Sequence, residues 1–190
     1  MRSFGAKPYL FPMPVYMIAT YDAEEREKVD VMMMAWGGIC AEDMVALNLE
    51  ESHRTVANLR AHGAFTLSVP PRGTLEASDY LGIASGNGVV DKFARTGLHA
   101  HRSERVDAPV IGEYPLTLEC TVAEIQQQPY GLRVLGKIEN VLADERVLDE
   151  KGRIDAGKLD TFVFDQMRNG YYAVGGQTGT AWKSGTKFLK

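Results

Sequence analysis

The chain is poor in cysteine, in long apolar runs and in clustered charge of one sign. Its two cysteines, Cys40 and Cys120, are too few for a disulfide framework and lack the close pairing of a zinc or redox dithiol. Both are therefore expected to be reduced core residues. The net charge of -4 comes without a Lys/Arg stripe, so nucleic acid is not an expected partner. No apolar run could span a bilayer and no secretory leader is recognisable, which predicts a cytoplasmic location.

Several short motifs are incomplete. Residues 152–159 have the glycine and lysine spacing of a P-loop, but Leu159 replaces the magnesium-binding hydroxyl and charge surrounds the segment. Ser52 is not part of a Gly-x-Ser-x-Gly elbow. His99 and His101 have no acidic or cysteine partner at ligand spacing, and residues 86–91 lack the last glycine of a dinucleotide fingerprint. We expect neither a metal site nor a protein nucleophile.

The hydrophobic content of 45% supports one core, so a single domain over residues 1–190 is expected. Alternation at period two dominates the second half, and strand-length runs occur at 15–20, 29–35, 44–49 and 64–69. From Leu116, the even-numbered residues to 122 are expected on a buried face and Thr117, Glu119 and Thr121 on a wet one. A second strand from Leu132 would complete a hairpin, with a bulge or corner at Gly136. These strands predict a mainly β fold, a barrel with a few short helices.

Two helices and one helical turn are expected between these strands. The first begins near Thr55, with Ser52 or Thr55 as N-cap, and ends before Gly63. The second runs from Thr74 to near Gly82. A glycine-containing loop then leads to a turn at residues 91–95 that Gly97 terminates.

Three segments have the residue types of an anion or aromatic-ligand site. After the run 32–34 of methionines, Trp36, Gly37 and Gly38 could expose backbone amides to a ligand, although methionines also simply fill cores. Residues 52–55 begin the first helix, where amides and Arg54 could bind an anion or merely cap the helix. Lys92 and Phe93 place an ammonium beside an aromatic ring. Taken singly, each segment is more often structural.

In this order the segments resemble the flavin reductase-like family of FMN-binding split barrels, most closely its flavoredoxin branch. The matching blocks are 12–20, 34–38, 54–58, 63–65, 91–93, 118–120, 136–138, 152–155 and 171–172, followed by the Gly-rich end. The similarity covers nearly the whole chain and accounts for the incomplete P-loop.

The resemblance implies a homodimer of six- or seven-stranded, Greek-key split barrels, with FMN near the subunit interface and hydride or electron transfer as its chemistry. Residues 35–39 would lie along the flavin, 52–55 would take the phosphate, and Lys92 with Phe93 would close the site. The implied cofactor-binding residues are Ala35, Trp36, Gly37, Gly38, Ile39, Ser52, His53, Arg54, Thr55, Lys92 and Phe93.

The chain departs from the family in the loop that follows the tryptophan. The loop after the tryptophan commonly carries hydroxyl residues, whereas Gly37, Gly38 and Cys40 have none. Backbone amides would replace them, with Arg54 and Lys92 as the main side-chain contacts.

The electron donor could be NADH or NADPH, or a partner protein that reduces a flavoredoxin-like carrier. A non-catalytic small-ligand or haem-binding barrel is the alternative from another class.

Overall fold

The computed structural model describes residues 1–189, whose centre is a seven-stranded antiparallel sheet with the strand order β2-β1-β5-β8-β9-β4-β3. The strands of this sheet are β1 (Tyr16–Tyr21), β2 (Val29–Met34), β3 (Gly37–Ala41), β4 (Met44–Leu49), β5 (Ala64–Val69), β8 (Leu116–Gln128) and β9 (Gly131–Ala143). Two small hairpins lie outside it, β6 (Ala100–Arg102) with β7 (Pro109–Ile111) and β10 (Phe162–Asp165) with β11 (Gly170–Ala173).

The sheet is rolled into a split barrel. Strands β2 and β3 form its opposite edges, yet Ala35 and Trp36 alone lie between them in the chain. Because two residues reach no more than about 10 Å, the two edges must approach each other at this point. The backbone N–H of Asn48 donates to the Trp36 carbonyl at 2.8 Å, which ties the connection to β4. Trp36 therefore lies at the seam of the barrel.

Helices α1 (Arg54–His62) and α2 (Leu75–Ile83) pack against different clusters of core residues. Val56 and Leu59 of α1 belong to the larger cluster, with Ile18, Phe65 and Val134 among its members. The second cluster includes Leu81 of α2 and, from the strands, Met17, Val31 and Ile111. Neither helix in the described part of the chain has the length and apolarity needed to cross a membrane.

Most predicted elements are present, since their patterns are local. Gly63 ends α1 with a φ of 63°, its N–H bonded to the Leu59 carbonyl, and Gly97 ends the short turn Phe93–Thr96 with a φ of 70°. The β8–β9 register shifts twice, once beside the Val122–Gly136 pair. At Gly136 a Cβ would lie 2.4 Å from Phe65 Cζ, so this glycine makes room for a core ring.

Three expectations need correction. The face of β8 that carries Thr117 and Glu119 is not wet, because both residues are 1% exposed. Ser103, from the segment between β6 and β7, donates to Glu119 Oε1, and Pro109 of β7 accepts from Thr66 on β5. The segment therefore covers this face. The N-cap of α1 is His53, with no side-chain cap bond. Cys40 is exposed, although both cysteines are free thiols as expected.

Candidate functional site

A cavity of about 270 Å³ opens at the barrel seam. Its lining comes from the end of β2 and its connection to β3, and from the β10–β11 hairpin. Its lining is largely apolar, with a few polar groups, which is typical of small-molecule sites. The lining residues are Val15, Met32, Met33, Met34, Ala35, Trp36, Asn48, Leu49, His53, Gly82, Phe164 and Tyr171.

A second cavity, of about 450 Å³, shares Ala35, Trp36 and Asn48 with the first. The N-terminal segment 7–14 and Gln166 form much of its lining. Trp36, which is 49% exposed, therefore lines both cavities. The structure thus brings Ala35, Trp36, Gly37 and His53 of the predicted residues to one place.

Gly37 and Gly38 belong to strand β3, where the sequence suggested a ligand-facing loop. A Cβ on Gly37 would lie 2.5 Å from the Ala46 carbonyl oxygen of β4, so the close pairing of the two strands explains this glycine. Gly38 has a φ of 155°, a conformation that favours glycine. Ile39 is 65% exposed and lines neither cavity at the seam.

The N-terminus of α1 lies at the edge of the first cavity. His53 is the N-cap, and its Nδ1 is buried without a hydrogen-bond partner. Ser52 is exposed, and its carbonyl accepts from the Asn87 side chain at 2.8 Å. The Thr55 hydroxyl donates to Asp30 at 3.2 Å. The first backbone N–H groups of a helix have no partner inside it, so this end can attract an anion.

Arg54 is held by carboxylates. Its guanidinium donates to both Asp22 oxygens, at 2.8 and 2.5 Å, and to Glu24 at 3.0 Å. The bond from Arg54 holds the pKa of Asp22 well below its usual range, and the bonds to Asp22 and Glu24 raise the pKa of Arg54. Asp22 is 1% exposed, so the pair neutralises a buried charge.

This pair predicts a pH-dependent effect of Arg54→Met. Because the pKa of Asp22 is lowered in the folded state, the Arg54–Asp22 pair stabilises the fold fully above the pKa of an unfolded carboxyl, which is about 4. This stabilisation is lost as the pH falls from there towards the pKa of Asp22 in the folded protein. We expect Arg54→Met to lower the unfolding free energy by about 3 kcal/mol at pH 7, the low end for a broken buried pair, because the Arg54 side chain is 17% exposed. The unfolding free energy of the variant should also fall less than that of the wild type between pH 4 and pH 3. Urea unfolding at each pH measures this. Arg60→Met, which breaks an exposed pair with Glu51, should change the unfolding free energy by less than about 1 kcal/mol.

Lys92 is buried, with a side chain 5% exposed. Its ammonium donates to the carbonyls of Leu81 and Ala84 at 3.2 and 3.0 Å and lies 3.4 Å from Asp30 Oδ1. Burial lowers the pKa of Lys92, whereas Asp30 opposes that shift. Phe93 is 8% exposed and belongs to the core cluster of α2. Their predicted part in closing a ligand site stays a prediction, since their contacts here are internal.

Asp30 is the centre of a buried polar network under the start of α1. Its Oδ2 accepts from Thr55 and from Asn58 Nδ2, at 3.2 and 3.3 Å. Asn58 also donates to Thr20 at 3.0 Å and accepts from the Ala23 N–H at 2.9 Å. The network joins β1, β2, α1 and Lys92, and so fixes where the helix begins.

Several cavity residues were not identified from the sequence as site residues, among them Asn48, Phe164, Gln166 and Tyr171. Asn48 gave a weak signal as an amide within an apolar strand, and Gln166 has a buried Oε1 without a partner. Tyr171 donates from its hydroxyl to Asp79 Oδ1 at 2.6 Å. Their approach to Trp36 depends on contacts between distant parts of the chain.

The P-loop-like segment 152–159 and the pair His99 and His101 line neither cavity at the seam. In residues 152–159 the Gly157 N–H donates to Asp155 at 2.9 Å and the Arg153 guanidinium donates to Asp149, so the segment is a turn held by its own carboxylates. The His99 ring lies 2.7 Å from Glu113. Within residues 1–189, no group of three His, Cys, Asp or Glu side chains could hold a metal ion.

Comparisons with known proteins show the family and the fold of the chain. The model of the family described as "Flavin reductase like domain" matches residues 9–164. Flavoredoxin of Desulfovibrio vulgaris (Miyazaki F) is 34% identical, with a TM-score of 0.90, covering 97% of this chain and 99% of that one. Flavoredoxin from Methanosarcina acetivorans is 27% identical, with a TM-score of 0.86, covering 99% and 100%.

A more distant structure shows the same fold. The FMN-binding protein from Thermus thermophilus is 21% identical, with a TM-score of 0.77, and the match covers 95% of this chain and 99% of that one. The search of curated proteins found no match.

Proposed function

The chain belongs to the flavin reductase-like family, and from that premise we propose that it is an FMN-dependent oxidoreductase of the flavin reductase and flavoredoxin type. The observation that carries the proposal is the apolar cavity beside Trp36, which has the N-terminus of α1 at its edge. An apolar slot next to a helix N-terminus matches a ligand with a planar ring at one end and a phosphate at the other.

The residues present fit FMN. Met32, Met34 and Leu49 offer apolar cover for a ring system, and Trp36 offers an aromatic face. His53 contributes a buried ring nitrogen that lacks a protein partner, and Asn48 adds an amide. The ribityl chain would lie along Ala35, Trp36 and Gly37. Gly38 and Ile39 would act through the strand pairing of β3 rather than by contact with the ring.

The phosphate is assigned to the start of α1, residues 52–55. The backbone N–H groups of Arg54 and Thr55 would make the contact, because the His53 N–H already donates to the Glu50 carbonyl at 3.1 Å. The dipole of α1 favours a negative charge there, and Asn87 ties the loop 85–88 to Ser52. Arg54 and Lys92 stabilise the start of α1 indirectly, because their charged groups pair with Asp22 and Asp30. In this proposal both cations position the helix start, and the amides make the contact.

When bound, FMN supplies the hydride or electron transfer. The chain's own residues have three tasks, which are to hold the phosphate, to keep water from the ring and to set the polarity at its edge. The apolar wall of methionines would exclude water from the ring of bound FMN. The polar groups of Asn48 and His53 would lie at the edge of that ring. The proposal assigns no protein nucleophile.

The electron donor distinguishes two forms of the proposal. A reductase takes electrons from NADH or NADPH, whereas a flavoredoxin-like carrier takes them from a partner protein. Because the chain is similar to two flavoredoxins, the carrier stands beside the reductase as a form of the proposal. The purified protein should be yellow and should release FMN on denaturation. Under anaerobic conditions, prompt bleaching of the flavin absorbance by NADH or NADPH indicates the reductase, and no bleaching indicates the carrier. A colourless or haem-coloured product that binds no added FMN would contradict both.

We further propose a homodimer, located in the cytoplasm. Large apolar side chains at both ends of the chain are exposed, including Phe4 at 61%, Leu10 at 69%, Trp182 at 97% and Phe188 at 80%. Such surface is typical of association sites, and segment 7–14 lines the second cavity beside Trp36. A second copy would cover the seam. Two free thiols suit a reducing compartment. Sedimentation as a monomer at micromolar concentration would contradict the dimer.

A further inference from the structure

The β10–β11 hairpin is a wall of the first cavity but not a part of the barrel sheet. Phe164 of β10 and Tyr171 of β11 are paired within the hairpin and line the cavity together with the methionines of β2. The first strand of the hairpin is anchored by backbone bonds between Phe164 and Met13, at 2.9 and 3.2 Å. Just before it, Thr161 donates to the Pro70 carbonyl at 2.9 Å. The wall is therefore fixed on its β10 side.

The β11 side is held differently. Within residues 1–189 the side-chain hydrogen bonds of β11 both come from the Tyr171 hydroxyl, to Asp79 Oδ1 of α2 at 2.6 Å and to Met33 Sδ at 3.9 Å. A bond of that length to a carboxylate is charge-assisted and among the stronger hydrogen bonds. Burial, together with Asp79, raises the pKa of Tyr171, so the hydroxyl keeps its proton near neutral pH. One side-chain bond thus connects this strand to α2.

Helix α2 is itself a part of the cavity wall. Gly82 lines the cavity, and a Cβ there would lie 2.9 Å from Met33 Cε, so α2 packs closely against β2. The Tyr171–Asp79 bond therefore joins the hairpin to an element whose distance from β2 is already set by packing. With the bond made, the hairpin cannot move away from the methionines.

We propose that the Tyr171–Asp79 hydrogen bond is a latch that holds the cavity closed, so that Tyr171 is a positioning residue that limits the release of bound FMN. This rests on the proposed function. Lid-like elements that exchange between open and closed forms commonly set the rate of ligand release. Here β11 stays paired with β10, and the opening motion is a rotation of the hairpin about its anchor at Met13 and Pro70. This rotation moves β11 away from α2 and uncovers the cavity at Gly82.

Tyr172 provides a matched control on the same strand. Its side chain alternates to the other face of the hairpin, is 46% exposed and packs edge-on against Phe11, with ring centroids 5.5 Å apart. In the described part of the chain its hydroxyl makes no hydrogen bond. Tyr172→Phe therefore removes the same atom from the neighbouring residue without breaking the latch.

The test measures the dissociation rate of FMN from the loaded full-length protein, by the fluorescence of released FMN after dilution. Tyr171→Phe should release FMN about 10- to 100-fold faster, as expected for loss of one hydrogen bond to a charged group. Asp79→Asn should act in the same direction. Asp79→Asn should have the smaller effect, because an amide oxygen still accepts from the Tyr171 hydroxyl but without the charge. Tyr171→Phe/Asp79→Asn should be no faster than Tyr171→Phe, which already removes the bond. Hydrogen exchange in residues 162–173 should rise in these variants and not in Tyr172→Phe.

The latch is overturned if Tyr171→Phe releases FMN at the wild-type rate, if Tyr172→Phe accelerates release equally, or if the effects of the two latch substitutions add fully. An equal loss of thermal stability in Tyr171→Phe and Tyr172→Phe, with equal release rates, would also reject it. Failure of the proposed function is recognised separately, since the wild-type protein would then not bind FMN. Tyr171→Phe keeps the ring, so the test does not depend on Asp79→Asn folding.

Discussion

Replacing Lys92 with methionine is expected to lower the free energy of unfolding by about 3–5 kcal/mol. The substitution leaves Asp30, which is 4% exposed, as a buried carboxylate with neutral donors alone, Thr55 and Asn58. Breaking a buried ion pair by removing one partner costs about this much. Urea unfolding at pH 7, with the same FMN concentration for every variant, measures the change, since bound ligand adds its own stability.

The matched variant is Asp30→Asn/Lys92→Met, which removes both charges together. Because a neutral amide can keep hydrogen bonds with Thr55 and Asn58, most of the lost stability should return. The same pair of variants separates two roles for Lys92. If it supports the start of α1, the affinity for FMN falls in Lys92→Met and recovers in the double variant. A loss of FMN affinity that persists in the double variant, with riboflavin affinity unchanged, would show that Lys92 contacts the phosphate.

Local patterns predicted the elements of the fold because their causes are local. Strand-length runs bounded by glycine or charged residues predicted Met44–Leu49 and Ala64–Val69 to the residue, and the αL requirement at Gly63 defined the end of α1. Strand β3 was missed because its two glycines and exposed Ile39 lack an apolar alternation. The buried face of Thr117 and Glu119 was missed because a segment from another part of the chain covers it.

The candidate site was predicted in part, and what was missed consists of long-range contacts. Trp36 and His53 line one cavity, and their part in flavin binding stays a prediction. Arg54 and Lys92 were expected to face a phosphate, but residue type alone could not show that Asp22 and Asp30 engage their charges. Tyr171 and Gln166 come from the last quarter of the chain. Their proximity to Trp36 follows from the way in which the hairpin closes over the barrel seam.

Introducing a carboxylate at Ser52 is expected to weaken FMN binding by about 10- to 100-fold and to leave riboflavin binding unchanged. Ser52 is exposed and precedes the N-cap His53, so an acidic residue there suits the helix dipole and the fold should persist. Two like charges about 4–6 Å apart near a protein surface repel by a few kcal/mol. Riboflavin lacks the phosphate and so reports the ring contacts alone.

The two variants to compare are Ser52→Asp and the neutral Ser52→Asn, titrated with each flavin by fluorescence quenching. The penalty in Ser52→Asp should shrink as salt is raised from about 0.01 to 1 M, because the Debye length falls from roughly 30 to 3 Å. Ser52→Asn should bind both flavins like the wild type. Equal weakening of FMN and riboflavin by Ser52→Asp, or an FMN affinity that does not change, would mean that the phosphate does not bind at the start of α1.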